Sequence, residues 1–479
     1  MPFSRRNLLR HAVAAPAALH SASAAQSASA ATRPNILFIL SDDHSVPFLG
    51  AYGADYIKTP NLDRLAREGM RLDRCFTAAP QCVPSRTAIM TGISPVAARM
   101  GSFSNPLPPD VVSAPELLRQ SGYFTGVCGR WYHLDGQGNP PAARKAIFEK
   151  HGMLTWKDRV DFLEPGNQVN TAVEFDRFLS RVPDGKPWWF WINYSDPHHR
   201  WDDNAGTVKP EEVRAPAHLP DLPGVREELA RYCGEVERMD RFVGEAISAL
   251  RRRGQAENTL VVFMGDNGMA FPHGKGSLYD PGLNVPLIAW WPGKIPAGSA
   301  STFLISGEDL TPTFLAAAGL DTPKHMTGRS FLNLLTGAPY QQRDAIFAAR
   351  LAHGNAPFTA SSKASNFDLS RCVRDTRYKL IYNCTPQMEY WPVDSGAGPG
   401  WQQILEAHRS GTLKPEHERA YFQRPRPVLE LYDLEADPAE LNNLADKPEL
   451  ADVQRRLLLA LEEKMFVDRD FLLPPTDGR

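Results

Sequence analysis

Two widely separated points of this chain carry clustered oxygen donors: Asp42 beside Asp43, and Asp266 beside Asn267. Carboxylate and amide oxygens are hard ligands, so such a set suits Ca2+ or Mg2+ better than zinc. Taken singly, Asp-Asp and Asp-Asn-Gly are also ordinary turn chemistry, because Asp, Asn and Gly favour turns. A third point is Cys82 in Cys82-Val83-Pro84-Ser85-Arg86, just ahead of a short helix predicted over 85–90 that stops near Gly92. A helix N-terminus offers unpaired N–H groups and a positive dipole end to an anion. A free cysteine there is otherwise a small buried hydrophobe. Near these points stand Arg86, Arg130 and Lys275, which balance the three carboxylates. A divalent ion would leave about two positive charges, with each group at its usual protonation state. Such a pocket can bind an anionic ester and still stabilise charge developing on a leaving group.

Elements that could bring these residues together are legible. Residues 35–40 form a continuous apolar run, as expected of a strand buried on both faces, and the run ends at Ser41-Asp42-Asp43. A helix follows, with Thr59 as cap, Pro60 in its first turn and Gly69 as its stop. Similar apolar strands end near Cys128, Tyr194, Gly265 and Trp290. A long amphipathic helix over 225–253 carries Leu229, Tyr232, Val236, Met239, Val243 and Leu250 on one face. Alternating strands and helices imply an α/β fold, a large and mostly parallel sheet sandwiched by helices. Arg130 and His133 follow the second of these strands, His198 the third (with His199 as a rival) and Asp266-Asn267 the fourth. Ligands in open α/β sheets bind beyond the carboxyl ends of the strands, so four segments aim chemistry at one edge. Beyond about residue 340 the pattern changes to a hairpin over 371–383, a strand over 429–434 and a helix over 449–465. These predict a smaller antiparallel-sheet α+β subdomain.

The 479 residues suffice for a large domain and a smaller one. A net charge of −2 gives no global reason to bind nucleic acid or a membrane surface, so attraction for an anion must be local. No apolar run is long enough to span a bilayer.

The segment Cys82-Val83-Pro84-Ser85-Arg86 resembles the Cys-x-Pro-Ser-Arg signature of the type I sulfatases, in the alkaline phosphatase superfamily. The resemblance implies an alkaline-phosphatase-like fold and conversion of Cys82 to 3-oxoalanine (formylglycine) by a formylglycine-generating enzyme. It also implies one Ca2+ held by Asp42, Asp43, Asp266, Asn267 and residue 82. Phosphatase and phosphonate-hydrolase relatives commonly have His where Asn267 stands, so Asn267 favours sulfate chemistry. The stretch from Gly122 to Arg130 is similar to the family segment carrying a catalytic Lys and then a His. This chain has Arg130 for that Lys, and one extra residue before His133. Arg keeps the charge but does not readily give up a proton. Asp196-Pro197-His198 matches the next catalytic His. The implied scheme has Arg86, Arg130 and Lys275 on the sulfonate oxygens, His198 protonating the leaving group and His133 acting as base. Within the family, Asp266-Asn267-Gly268, Phe271-Pro272, Gly274-Lys275, Leu278-Tyr279 and Pro281-Gly282 resemble the N-sulfoglucosamine sulfohydrolases (heparan N-sulfatases). So do Arg371-Cys372-Val373-Arg374 and Glu430-Leu431-Tyr432-Asp433. The implied substrate is a sulfated carbohydrate of glycosaminoglycan type. A phosphate or phosphonate monoester hydrolase on the same scaffold and an inactive glycan-binding homologue remain as alternatives.

Ser4-Arg5-Arg6-Asn7-Leu8-Leu9, an Ala-rich segment and Ala28-Ser29-Ala30 resemble a twin-arginine export signal, implying a periplasmic or secreted protein. The expected division is a signal over 1–31, a catalytic domain over 32–340 and a C-terminal subdomain over 341–479. Conversion of Cys82 would leave five of six cysteines, and Cys372 and Cys384 are candidates either for a disulfide or for two buried thiols. Trp188-Trp189, Trp201 and Tyr390-Trp391 are expected to serve packing or loop anchoring before sugar stacking.

Overall fold

The apolar run at the start of the fold is a central strand, β1 (Asn35–Ser41), buried along its whole length. Ile36, Phe38 and Leu40 point into one hydrophobic core and Leu37 and Ile39 into another. Two covered faces explain why the strand reads as unbroken hydrophobicity and not as alternation. A computed structural model supplies these coordinates; it describes residues 33–475 except 102, 104, 137–141, 167, 204 and 354–366. The export-signal expectation over 1–31 lies outside the described residues.

Eight further strands complete the main sheet: β2 (Met70–Phe76), β3 (Phe124–Gly129), β4 (Phe162–Pro165), β5 (Trp188–Asn193), β6 (Thr259–Gly265), β7 (Asn284–Trp290), β8 (Ser299–Ser301) and β9 (Ile305–Ser306). Their order is β4-β3-β5-β1-β6-β7-β2-β8, with β9 on β2. The five strands from β4 to β6 are mutually parallel. β7 was expected only as another apolar strand; it runs antiparallel to β6 and to β2. Burial on both faces gives the same apolar run in either direction, so sequence could not reveal this reversal.

Register fixes where the strands stop. Leu40 lies opposite Asn193, Ser41 opposite Gly265, and Gly129 opposite Asn193, so β1, β3, β5 and β6 end at one level. At Gly129 (φ 80°) the chain bends so close to β5 that an added Cβ would sit 2.0 Å from the Asn193 carbonyl oxygen. Only glycine fits both the left-handed conformation and that approach.

Helix α1 (Pro60–Glu68) forms as expected and buries Leu62, Leu65 and Ala66. Helix α2 (Cys82–Thr91) begins at Cys82 itself, three residues earlier than expected, because Pro84 is tolerated in a first turn. All of α2 is buried, and it ends at Gly92 in the left-handed region (φ 68°). The long helix Pro223–Arg252 lays its predicted apolar face on the second core.

Strands β10 (Ile346–Arg350), β11 (Ser370–Arg374), β12 (Tyr378–Asn383) and β13 (Leu429–Asp433) make a separate antiparallel sheet in that order. Val373, Leu380 and Leu431 meet Leu457, Leu461 and Met465 of the terminal helix Ala451–Val467. On the other face Cys372, Ile381 and Tyr432 meet Leu278, Leu283 and Leu304. The Cys372–Cys384 bridge does not form, and both thiols are free. Cys372 faces Ile381, and the Cys384 amide bonds to Leu369. Three residues of ladder offset is about 10 Å, beyond the reach of a disulfide. Among the described residues no helix is long and apolar enough to cross a membrane.

Candidate active site

At the common end of β1, β3, β5 and β6, the sequence-predicted residues converge. Asp42 and Asp43 leave β1, and both are fully buried. Asp43 takes a left-handed conformation (φ 63°) that turns the chain and lets its N–H donate to Asp266 Oδ1 at 2.9 Å. Its carbonyl accepts from the Tyr232 hydroxyl on the long helix at 3.1 Å. Asp266 Oδ1 also accepts the Asn267 N–H, at 2.7 Å. Cys82, at the head of α2, places Sγ 3.4 Å from Asp42 Oδ1 and 3.9 Å from Asp43 Oδ1.

The three predicted cations have different tasks. Arg86 is fully enclosed: Nε donates to Asp266 Oδ2 at 2.8 Å, Nη2 to Asp42 Oδ2 at 3.0 Å, and Nη1 to Asn193 Oδ1 at 2.9 Å. It ties the carboxylates together and has no free face for a ligand. Arg130 remains partly open (14% exposed), with Nε 3.1 Å from Asp42 Oδ2 in an ion pair that lacks hydrogen-bond alignment. Lys275 Nζ lies 2.8 Å from Asp43 Oδ1 and 2.7 Å from Asp394 Oδ2.

Lys275 also approaches His198 Nε2 at 3.1 Å, while His198 Nδ1 faces the His199 carbonyl. An ammonium can only donate, so Nε2 accepts and Nδ1 carries the proton: His198 is neutral. Burial and the Lys275 charge lower its pKa to about 3. The neighbouring His199 ring packs edge-on to Trp201 at 4.8 Å, whereas His198 bonds to Lys275. Asp196 anchors this loop by accepting from Arg238 Nε at 2.7 Å and from Gln168 Nε2 at 2.6 Å. His133 sits in a 3-10 turn (Trp131–Leu134). It is buried, and its Nδ1 has no hydrogen-bond partner among the described residues. Burial and then the Arg86 and Arg130 charges keep its pKa well below the usual histidine value.

Asp42 is held well below the usual carboxylate range: Arg130 and Arg86 outweigh the burial that opposes ionisation. Asp43 is pushed well above that range by burial, to which Asp42, Asp266 and Asp394 add against Lys275. Burial and the Asp42 charge raise Asp266 to about 6. Crowded carboxylates that resist ionisation lack compensating positive charge. Asn267 supplies a second sign, because its Nδ2 donates to Asp43 Oδ1 at 2.9 Å while its buried Oδ1 has no partner among the described residues. Asp42, Asp43, Cys82 and His198 each present a ligand atom within 4.8 Å of the others. An orphan carbonyl oxygen beside under-compensated carboxylates fits a hard divalent cation. As a plain thiol, Cys82 would be a poor nucleophile, since burial and then Asp42 push its pKa well above the ordinary value.

Four participants were not foreseen. Asn193 ends β5 and orients Arg86. Gln81 clamps the start of α2 by exchanging hydrogen bonds with the Leu351 backbone at 2.8 and 2.9 Å. Asp394 and His353 arrive from the C-terminal third, with His353 Nε2 3.5 Å from Asp394 Oδ1. None belongs to a spacing pattern; each becomes visible only when distant segments meet. Trp188 and Trp189 are core residues, as expected, and Trp201 stacks on Phe271 at 4.6 Å.

The sequence model of the family described as Sulfatase matches residues 34–320. A second, described as N-sulphoglucosamine sulphohydrolase, C-terminal, matches residues 271–400. An ulvan-active sulfatase of Formosa agariphila is 30% identical over 451 residues, covering 87% of this chain and 72% of that protein. The N-sulphoglucosamine sulphohydrolase of Homo sapiens is 28% identical over 492 residues, covering 93% of this chain and 92% of that protein. Among solved structures, a protein in complex with its substrate D-glucosamine-2-N,6-O-disulfate superposes with a TM-score of 0.68 at 21% identity, over 92% of this chain and 99% of that one. A phosphonate monoester hydrolase from Silicibacter pomeroyi superposes with a TM-score of 0.65 at 21% identity, over 91% and 96%. At such identity the two superpositions speak to the fold alone.

Proposed function

Because this chain belongs to the sulfatase family of sulfuric ester hydrolases, we propose that it cleaves sulfate esters or sulfamates of glycosaminoglycan-type carbohydrates. The proposal includes a formylglycine at position 82 and one Ca2+ held by Asp42, Asp43, Asp266, Asn267 and residue 82. The observation that carries it is the position of Cys82: first in α2, with its sulfur against Asp42 and Asp43, the latter also bonded by Asn267. The names of two relatives, ulvan-active sulfatase and N-sulphoglucosamine sulphohydrolase, support a sulfated saccharide as substrate.

When present, the hydrated aldehyde supplies the nucleophilic oxygen and a second hydroxyl for releasing sulfate, and the cation supplies Lewis acidity. The chain's own residues do the rest. Arg86 fixes Asp42 and Asp266, because its donors point at them, at Asn193 and at the Arg130 carbonyl. Arg130, the cation that keeps some access, holds the sulfonate oxygens, and Lys275 lends its charge from beneath, where Asp43, Asp394 and His198 engage it. Lys275 Nζ donates to His198 Nε2, so the pair holds a proton on Nζ that His198 Nε2 can relay to the departing oxygen or nitrogen. His133, neutral and with Nδ1 unpartnered, is the base. The sequence reading put Arg86 on the sulfonate; its enclosed guanidinium is instead a positioning group in this scheme.

The proposal extends to an export signal over 1–31, a catalytic domain over 32–340 and a C-terminal subdomain over 341–479. It places the matured protein in the periplasm or outside the cell, after action by a formylglycine-generating enzyme. Turnover of an aryl sulfate and of an aryl phosphate by matured, calcium-loaded protein tests the reading. Sulfate hydrolysis should dominate; dominant phosphate hydrolysis, or turnover of neither, would contradict it.

A further inference from the structure

Among the described residues, the side chains at the site that keep some access to solvent include Asp394 (27% exposed), His198 (20%), Arg130 (14%) and His353 (14%). Asp42, Asp43, Arg86 and Lys275 are closed off beneath them. Whatever lies beyond the sulfate in a substrate therefore meets those four, and Asp394 is the most open. Its Oδ2 is 2.7 Å from Lys275 Nζ and 3.9 Å from His198 Nε2, at the boundary between the anion pocket and the outside.

Asp394 works against the pocket it borders. It adds a fourth carboxylate to Asp42, Asp43 and Asp266, against the three cations Arg86, Arg130 and Lys275. Lys275 meets Asp43 through both carboxylate oxygens, at 2.8 and 2.9 Å, in addition to Asp394. Burial opposes ionisation of Asp394, but Lys275, His353 and His198 carry it well below the usual carboxylate value. The backbone holds it there at φ 64°, a conformation that Asp and Asn tolerate better than other residues with a side chain. A Ser395 N–H to Val393 carbonyl bond of 2.8 Å closes the turn. An ionised acceptor fixed at the mouth of an anion pocket attracts hydrogen-bond donors and repels further anions.

We propose that Asp394 is a specificity residue that selects substrates with a hydroxyl or ammonium next to the scissile sulfate and rejects those with a second sulfate or carboxylate there. This rests on the sulfatase reading above. The test measures kcat/KM of matured, calcium-loaded wild type, Asp394→Asn and Asp394→Ala. The probes are a monosulfated hexosamine with a free vicinal hydroxyl and its vicinally disulfated counterpart, with release scored at the shared position. Wild type should prefer the first by at least about tenfold, and both variants should cut that preference by about tenfold or more, chiefly through KM for the disulfated sugar. Asn suits the left-handed backbone, and Ala is a second variant should one fail to fold. A preference ratio unchanged in the variants, with both substrates slowed equally, would reduce Asp394 to a partner of Lys275 and overturn the proposal. So would a wild type that prefers the disulfated sugar. Aryl sulfate, which has no neighbouring donor, reports the underlying reading separately: no turnover of it or of either sugar by wild type would overturn that reading and this proposal with it.

Discussion

At the carboxyl ends of β1 and β6, buried Asp42, Asp43 and Asp266 crowd together; at the seam with the second sheet, equally buried Lys379 and Arg374 meet Asp280 and Glu440. In the second cluster Lys379 Nζ is 2.6 Å from Asp280 Oδ1 and 2.7 Å from Glu440 Oε1, and Arg374 pairs with Asp280 at 3.3 Å. Two cations face two carboxylates, and Arg374 and Lys379 overcome burial to hold Asp280 at about 2. In the first cluster, burial and mutual repulsion leave Asp266 at about 6 and Asp43 above its usual range, with an orphan amide oxygen alongside. Both clusters bear the cost of burying charge. The second cluster, where burial likewise raises Glu440 to about 7, sets two cations against two carboxylates and fastens the two sheets; the first, with Asp394, sets three cations against four carboxylates, which is the condition for holding a further cation.

The comparison can be broken most sharply by making the same kind of change in each cluster. Asp43→Asn should cut kcat/KM of the matured enzyme by about a thousandfold or more while the fold survives, since it relieves a strained buried carboxylate. Lys379→Met should do the reverse: lose about 3–5 kcal/mol in urea unfolding, by leaving Glu440 unpaired and Asp280 with Arg374 alone, while folded enzyme keeps its kcat/KM within about twofold. Calcium sharpens the contrast. At about a hundredfold over Kd it should stabilise the wild type by about 2.7 kcal/mol, a gain that Asp43→Asn loses and Lys379→Met retains. Because the Asp266 pKa is raised to about 6, its proton must leave before a cation binds, so calcium affinity should climb as pH rises through 6. For the same reason the metal-free protein loses Asp266's contribution to stability as pH rises through 6. Asp280, depressed to about 2, keeps its contribution above its unfolded value near 3.8 and loses it only as pH falls toward 2. Calorimetry of calcium binding and melts of the metal-free protein at pH 5 and pH 7 check the Asp266 signs, and urea unfolding of Lys379→Met and wild type from pH 5 down to pH 2 checks that of Asp280. The smallest effect is expected at Arg377, a half-exposed guanidinium paired with Asp433 at 2.6 Å: in thermal melts Arg377→Ala should lower stability far less than Lys379→Met does.

Much of this was legible because strands buried on two faces read as apolar runs, and chemistry shows where each run breaks. Asp42, Arg130, His198 and Asp266 each follow such a break, and the register confirms that β1, β3, β5 and β6 end at one level. The hairpin of β11 and β12 was visible from its Arg374-Asp375-Thr376 turn. What stayed hidden has physical reasons. β2 mixes Arg71, Asp73 and Arg74 with apolar residues, so it lacks the pattern of a core strand. Apolar composition conceals direction, hence the reversal of β7. Asp394 lies in a loop rich in Gly and Pro, far in sequence from Lys275, and no periodicity connects them. The excluded Cys372–Cys384 bridge depended on a register that spacing alone does not fix.

The account turns on residue 82, and one observation reaches it directly: mass spectrometry of the tryptic peptide 75–86 from protein matured in its own host. Cys75 in the same peptide serves as an internal thiol control. The account predicts an aldehyde, or its hydrate, at position 82 with Cys75 unchanged. An intact thiol at both positions in catalytically active protein would contradict it.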